Sequence, residues 1–429
     1  MILSFDAPGD KSLSHRVLLL GPLAEGRSCL RGVSPCDDVR CTRRALEALG
    51  VRIEGEGDET LITGPARWRP PPGEIDCGNS GTTARLLLGL LSGLGLPAVL
   101  CGDASLSGRP MDRVVYPLQA MGARIRYLKE EDRLPVALEA RRSGSLRSLR
   151  HRPRVASAQV KSSLLLAGLA SAVPVEVIEP TPTRDHTERL LQEMGAPLSV
   201  ARMPGGGSAV ALESMKHGPA LRPLDLGVPG DFSAAASLLA AAWLGAGEVR
   251  VVRVGLNARR TGLLRAAAQM GARFEVGEEG VEAGEPMGTL RGSPSRLRAS
   301  DVGGRLLVDL VDEVPVLAVL AARASGVSRI RGAAELRRKE SDRLSTVAAG
   351  LQTVGVRCRE HSDGLDIEGT DAPLAGVVRT GGDHRIAMAF GVLGAAPGCE
   401  ITVDDPMCVS ISYPGFWRDL ERLAGRSGA

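Results

Sequence analysis

The chain has 429 residues and a mass of 44.9 kDa, with 43% hydrophobic and 24% charged side chains, an ordinary globular composition too long for one small core. Fifty-three basic side chains against fifty acidic ones leave a formal charge of +3, far short of the field on which a nucleic-acid binder relies. Eight scattered cysteines form no CxxC pair and have no histidine at ligand spacing, which argues against a zinc site or disulfide framework and fits thiols in a reducing cytosol. The opening MILSFDAPGD lacks the basic flank of a signal peptide. Uncharged stretches such as 86–102 are broken by Gly and Pro, so they read as buried helix and strand rather than a membrane span. A soluble, cytoplasmic protein without nucleic-acid or membrane partners is expected.

In chain order, one short pattern recurs: LEALGV (46–51), LQAMGA (118–123), LQEMGA (191–196), AAQMGA (267–272), LQTVGV (351–356) and, more weakly, LERLAG (420–425). Each glycine reads as the end of an outer helix, with Ala424 in that place in the sixth copy. Paired strands follow, as in VRIEGEGDETLIT and VRCREHSDGLDIEG. Earlier in each unit lies a helix apolar nearly all round, predicted to be buried on every side: SLSHRVLLLGPLA, TTARLLLGLLSGL, AQVKSSLLLAGLASA, FSAAASLLAAAWLGA, DEVPVLAVLAARA and DHRIAMAFGVLGA. A short strand follows each, so the unit is βαβαββ and six units fill the chain.

Polar residues gather at the N-terminal ends of the buried helices: Lys11, Ser12 and Arg16; Asn79, Thr82 and Arg85; Ser157, Gln159 and Lys161; Asp231 and Ser233; Asp312; Asp383, His384 and Arg385. Serine and aspartate there read first as helix caps. Capping does not explain Lys11, Arg16, Arg85 and Arg385, because a cation opposes the helix dipole, so an anion is expected to compensate them. Lysine is rare, only Lys11, Lys129, Lys161, Lys216 and Lys339 beside forty-eight arginines, which hints that these positions use an ammonium. The Pro/Gly-rich stretch HGPALRPLDLGVPGD (217–231) is the best linker. An N-terminal domain of 11–226 and a C-terminal domain of 227–429 plus 1–10 are expected, with the ligand cleft between them.

DKSLSHR (10–16), GNSGTTAR (78–85), GDASLSGRPM (102–111), ASAQVKSSLLLAGL (156–169), RRKESDRL (337–344) and GDHRIAMAF (382–390) together resemble the 5-enolpyruvylshikimate-3-phosphate synthase family. SAQVKS at 157–162 and TRDHTE at 183–188 resemble one branch of it most. The resemblance implies an α/β fold of two similar domains, each of three βαβαββ units, needing no metal or organic cofactor. It implies transfer of enolpyruvyl from phosphoenolpyruvate to the 5-hydroxyl of shikimate 3-phosphate, on the route to chorismate and aromatic amino acids, by a monomer. By the same resemblance Lys11, Asn79, Gly81, Arg109, Gln159, Arg343 and Arg385 surround phosphoenolpyruvate. Ser12, Arg16, Ser157, Ala158, Gln159, Arg184, Asp312 and Lys339 hold shikimate 3-phosphate. Glu340 is implied as acid at carbon and Lys339 as its charge partner, while the division of proton handling among Asp312, Glu340 and Lys11 stays open.

Taken singly, these residues have plainer readings. Glu340 and Arg343 could be an i,i+3 surface pair, Lys11 a solvated lysine, Arg109-Pro110 an ordinary loop, and Arg385 a structural ion-pair member. Their joint order favours the family. Two features depart from it: only ten residues precede Lys11, and the region 405–414 lacks the C-terminal lysine of some relatives, having Ile411 there. The sister transferase acting on UDP-N-acetylglucosamine carries a cysteine where this chain has Asp103 and an asparagine where it has Ser12. An RNA 3′-phosphate cyclase would need stacking platforms that 3% aromatic residues do not supply. A catalytically dead scaffold would tolerate loss of Lys11, Glu340 or Arg385, and all are present.

Overall fold

The protein is described by a computed structural model covering residues 2–425, except 56, 143–144, 216–219 and 283. Apolar all-round sequence produces buried helices where expected: Lys11–Leu20, Gly81–Leu94, Ala158–Ser171, Phe232–Trp243, Val314–Ala322 and His384–Gly394. In Phe232–Trp243 every residue is buried, which the run of Ala, Ser and Leu between its terminal Phe and Trp permits because small side chains let neighbours approach on all faces. Five of the six start at a side-chain cap. Asp10, Ser80, Ser157, Asp231 and Asp383 accept from the backbone N–H of Leu13, Thr83, Val160, Ser233 and Arg385. The remaining one, Val314–Ala322, begins with Pro315 in its first turn, where a missing N–H costs nothing.

The chain forms two compact units. The N-terminal unit runs from Gly9 to Val228 and includes Glu282 and Gly284, while the C-terminal unit combines the opening strand with the chain from Pro229 onward. In the N-terminal unit, Asp225–Gly227 pairs in parallel with Arg27–Arg31, which lies antiparallel to Glu59–Thr63 and its partner Arg52–Glu54. Two further four-stranded sheets repeat that order, around Ala98–Cys101 and Val175–Glu179. The C-terminal unit repeats it around Glu248–Gly255, whose parallel neighbour is Ile2–Asp6, and around Val327–Ile330. Its last sheet, among the described residues, is the parallel pair Leu374–Val378 and Cys399–Val403, so the sixth unit has no hairpin there. Strand alternation faces Ser28 and Leu30 inward while Arg27 and Arg31 face out. Each unit has its own apolar core, in which a fully buried Leu such as Leu18 or Leu317 contributes roughly 1.5–3 kcal/mol.

Besides the strand pair missing from the sixth unit among the described residues, two expectations change. The stretch 217–231 is more than a linker, since Asp225–Gly227 completes a sheet; its first three residues lie outside the described ones. In the sixth repeat Ala424 keeps helical dihedrals as the cap, and Gly425 takes the left-handed turn at φ 67°, the role Gly50 fills at φ 95°. The repeat is thus one residue longer there, because only a residue without Cβ adopts that turn without strain.

Candidate active site

In the N-terminal unit the helix starts gather the cations. Lys11 Nζ lies 3.0 Å from Asp38 Oδ2, the compensating anion expected from its position. Arg16 stands one turn further in and is buried. Its Nε donates to Thr187 Oγ1 at 2.8 Å, Nη1 to the Ser12 carbonyl at 2.8 Å and Nη2 to Ser162 Oγ at 2.9 Å. These hydroxyl and carbonyl acceptors fix the plane of the guanidinium from three sides. Next to it, burial first and then Lys11 and Arg16 hold the pKa of His15 well below the usual imidazole value, so His15 is a neutral core histidine joined to Thr42 at 2.7 Å.

A second cationic group stands at the start of Gly81–Leu94. Arg109 Nη2 donates to Asn79 Oδ1 at 2.5 Å and to Ser105 Oγ at 3.1 Å, and Asn79 Nδ2 donates to Asp103 Oδ2 at 2.7 Å. Asp103 therefore orients the amide that orients Arg109. Arg85 Nη1 donates to Gln159 Oε1 at 2.8 Å and Nη2 to the Pro110 carbonyl at 2.9 Å, tying Gln159 to the Arg109-Pro110 loop. Gln159 Nε2 in turn donates to Thr82 Oγ1 at 3.0 Å. Gly81 lies against both cations: a Cβ there would stand 2.8 Å from Arg85 Nη1 and 3.4 Å from Arg109 Nη1. Ser157 caps the helix whose first residues are Ala158 and Gln159, and half-buried Arg184 sits just before the helix His186–Glu193.

In the C-terminal unit Asp312 is the hub, with 13% of its side chain exposed. Lys339 Nζ, Arg343 Nη1, Arg385 Nη2 and Arg260 Nη1 lie 3.8, 3.5, 3.8 and 3.8 Å from its carboxylate. Arg385 Nη1 also donates to the Asp312 carbonyl at 3.0 Å. Arg343, 1% exposed, is 2.5 Å from Glu340 Oε2 and 2.8 Å from Asp383 Oδ2. Glu340 and Arg343 do form the i,i+3 pair, yet the arginine is buried, so the pair is no surface decoration. Burial alone would lower the pKa of Arg343, but Asp383, Glu340 and Asp312 outweigh it and push it up. Burial, opposed by Asp312 and aided by Arg343, holds Lys339 below its ordinary value.

All the sequence-expected residues fall into these two groups. Lys11, Ser12, Arg16, Asn79, Gly81, Arg109, Ser157, Ala158, Gln159 and Arg184 belong to the N-terminal unit, and Asp312, Lys339, Glu340, Arg343 and Arg385 to the C-terminal one. Sequence reasoning missed Asp38, Arg260 and Glu313. Arg260 is 2% exposed and reaches Asp231 at 3.2 Å and Ser233 at 3.0 Å. Glu313 accepts from Ser233 Oγ and lies 3.5 Å from Arg385. No local pattern marks them, since their partners stand 27 to 80 residues away. Arg85 is visible in the sequence as a cation at a helix start, but without an assigned task.

Clustered guanidinium groups, capped helix starts and a carboxylate pair set among cations define a protein that binds polyanions and can move protons beside them. The pattern of the family EPSP synthase (3-phosphoshikimate 1-carboxyvinyltransferase) matches residues 4–420, and the chain belongs to that family. A 3-phosphoshikimate 1-carboxyvinyltransferase of Thermus thermophilus is 49% identical over 98% of this chain and 96% of its own length. One of Anaeromyxobacter sp. strain K is 45% identical over 98% and 94%. Among solved structures, EPSP synthase of Acinetobacter baumannii superposes with a TM-score of 0.82 at 36% identity, covering 99% of this chain and 95% of that one.

Proposed function

We propose that this chain transfers the enolpyruvyl group of phosphoenolpyruvate to the 5-hydroxyl of shikimate 3-phosphate and releases phosphate. The observation that carries the reading is the C-terminal cluster, where Glu340 and Asp312 share Arg343 beside Lys339 and Arg385. In the addition, the 5-hydroxyl oxygen bonds to C2 of phosphoenolpyruvate while its proton leaves, and a proton enters at the C3 methylene to make a methyl group. In the elimination the C2–O bond to phosphate breaks and the methyl group returns one proton. Glu340 delivers and retrieves the proton at C3, with the Arg343 guanidinium 2.5 Å from its carboxyl group. Asp312 holds the ring hydroxyls and takes the proton of the nucleophile. Lys339 stabilises the developing charge.

Arg16, Ser157, Gln159, the Ala158 N–H, Ser12 and Arg184 hold shikimate 3-phosphate. Lys11, Arg109, Arg343, Arg385 and Gln159 hold phosphoenolpyruvate, with Asn79 steering Arg109 and Gly81 leaving room. Fixed guanidinium groups match the carboxylate and phosphate of each substrate in pairs of parallel bonds. The reading needs no metal or organic cofactor. It makes the enzyme a cytoplasmic monomer, which suits its eight thiols, and sedimentation velocity checks the monomer.

The decisive assay is phosphate release from phosphoenolpyruvate with shikimate 3-phosphate and, separately, with UDP-N-acetylglucosamine, with Glu340→Ala run alongside. Turnover only with the shikimate compound, lost in the variant, is expected. Turnover with the sugar nucleotide sinks the assignment.

A further inference from the structure

Lys161 is the fourth residue of the helix Ala158–Ser171 and is 1% exposed. Its ammonium stands 2.8 Å from Glu179 Oε2 and 2.6 Å from Glu188 Oε1, both equally buried. Glu179 ends the strand Val175–Glu179, and Glu188 lies in the helix His186–Glu193. The loop joining them carries Arg184. Thr183, next to Arg184, donates to Glu179 Oε1, and Ser208 Oγ donates to Glu179 Oε2 at 3.3 Å. Thr187, next to Glu188, meets Ser162 Oγ at 2.7 Å and accepts from Arg16. One buried ammonium thus fastens both ends of the Arg184 loop to the helix whose start is Ser157, Ala158 and Gln159.

We infer that Lys161 is a positioning residue, setting the spacing between the helix start at Ser157–Gln159, Arg16 and the Arg184 loop so that together they fit the phosphate of shikimate 3-phosphate. The inference rests on the assignment of those residues to that substrate above. A compact ammonium with three donors fits between two carboxylates from different elements, whereas a guanidinium is larger and planar. In a chain of forty-eight arginines, that geometry is a reason for lysine here. Without the ammonium, two buried carboxylates face each other and the loop is pushed from the helix. Burial first, and Glu179 against the pull of Lys161, raise the pKa of Glu188, which agrees with one cation serving two acids.

Four variants, Lys161→Met, Lys161→Arg, Thr183→Val and Arg16→Met, test this by steady-state kinetics in both substrates, with thermal melts alongside. Lys161→Met and Lys161→Arg are expected to raise KM for shikimate 3-phosphate on the order of tenfold or more, leaving kcat and KM for phosphoenolpyruvate within about threefold. Thr183→Val is expected to move the same constant alone, by roughly threefold. A folded Lys161→Met with KM for shikimate 3-phosphate unchanged overturns the inference, as does an equal loss in all three constants, the mark of a merely structural role. Should Lys161→Met not fold, Thr183→Val decides: an unchanged KM for shikimate 3-phosphate overturns it. If Arg16→Met itself leaves that KM unchanged, the phosphate assignment has failed and the inference falls with it. If Arg16→Met raises it and neither lysine variant does, only the inference has failed.

Discussion

Replacing Gly81 by alanine adds one methyl group at the start of the helix Gly81–Leu94, against Arg109, assigned to phosphoenolpyruvate, and against Arg85, which ties Gln159 to the Arg109 loop. The new Cβ would lie 2.8 Å from Arg85 Nη1, 3.4 Å from Arg109 Nη1 and 3.6 Å from Leu106 Cδ1. Comfortable contact begins near 3.5 Å, so Arg85 must retreat by roughly 0.7 Å. Its retreat strains the bonds to Gln159 at 2.8 Å and Pro110 at 2.9 Å, the ties between the Arg109 loop and the helix start at Ser157. A hydrogen bond to a charged group contributes about 1.5–3 kcal/mol, and a guanidinium can swing rather than lose it all. A loss of ~1.4 kcal/mol is the reasonable figure, a tenfold rise in KM for phosphoenolpyruvate. Gly81 is the first residue of the helix and does not have a positive φ, so the melting temperature should fall by no more than about 4 °C. Glyphosate, a mimic of phosphoenolpyruvate, should inhibit the wild-type enzyme competitively and weaken in parallel in the variant. The assay is phosphate release at saturating shikimate 3-phosphate, varying phosphoenolpyruvate with and without glyphosate. An unchanged KM for phosphoenolpyruvate in a stable Gly81→Ala protein would refute the crowding argument.

Three other outcomes are expected. Glu340→Gln keeps the shape and removes the acid, so kcat should drop on the order of 10²–10⁴-fold while calorimetric binding of shikimate 3-phosphate changes little; a kcat within tenfold of wild type removes Glu340 from the proton role. Arg343→Met leaves the buried Asp383 and the partly buried Glu340 without their guanidinium, and should cost about 3–5 kcal/mol in denaturant unfolding of the C-terminal unit; an unaltered midpoint contradicts the buried pairing. Lys339 has a folded pKa below its ordinary 10.5, so its proton leaves sooner than from an exposed lysine as pH rises. Its charged form therefore costs stability below the folded pKa, and this cost disappears between the folded and unfolded values. Activity that needs the charged form should fall as pH rises through the lowered folded pKa, and Lys339→Arg should carry the fall to higher pH; coincident alkaline limbs rule out Lys339 as the titrating group.

Much of this architecture is legible in the sequence. Helices apolar on all sides have one stable place, and six of them, each followed by a strand and a glycine-ended outer helix, give the unit count. Some caps can be read too, since Ser157, Asp231 and Asp383 do what such residues do at helix starts, while Ser12 and Ser233 leave that task to Asp10 and Asp231. The sixth repeat differs by one residue from its sequence reading because a six-letter pattern cannot say whether Ala424 or Gly425 makes the left-handed turn; the backbone dihedral decides. The stretch 217–231 looks like a linker because Pro and Gly dominate it, yet Asp225–Gly227 is held as a strand by parallel pairing with Arg27–Arg31, nearly two hundred residues away.

The repeat, the buried helices and the kind of chemistry at their starts can be read along the chain, because periodicity, capping and charge are local properties of it. Which charges meet depends on the folded chain. Asp38 finding Lys11, Arg260 reaching Asp312, and Lys161 standing between Glu179 and Glu188 depend on segments brought together from far along the chain. No local pattern encodes such distances, and a Coulomb interaction in a dry site changes severalfold with burial and a few ångströms. Composition could count the arginines, but packing alone fixed what each one meets, as where Arg16 is held between the hydroxyls of Thr187 and Ser162.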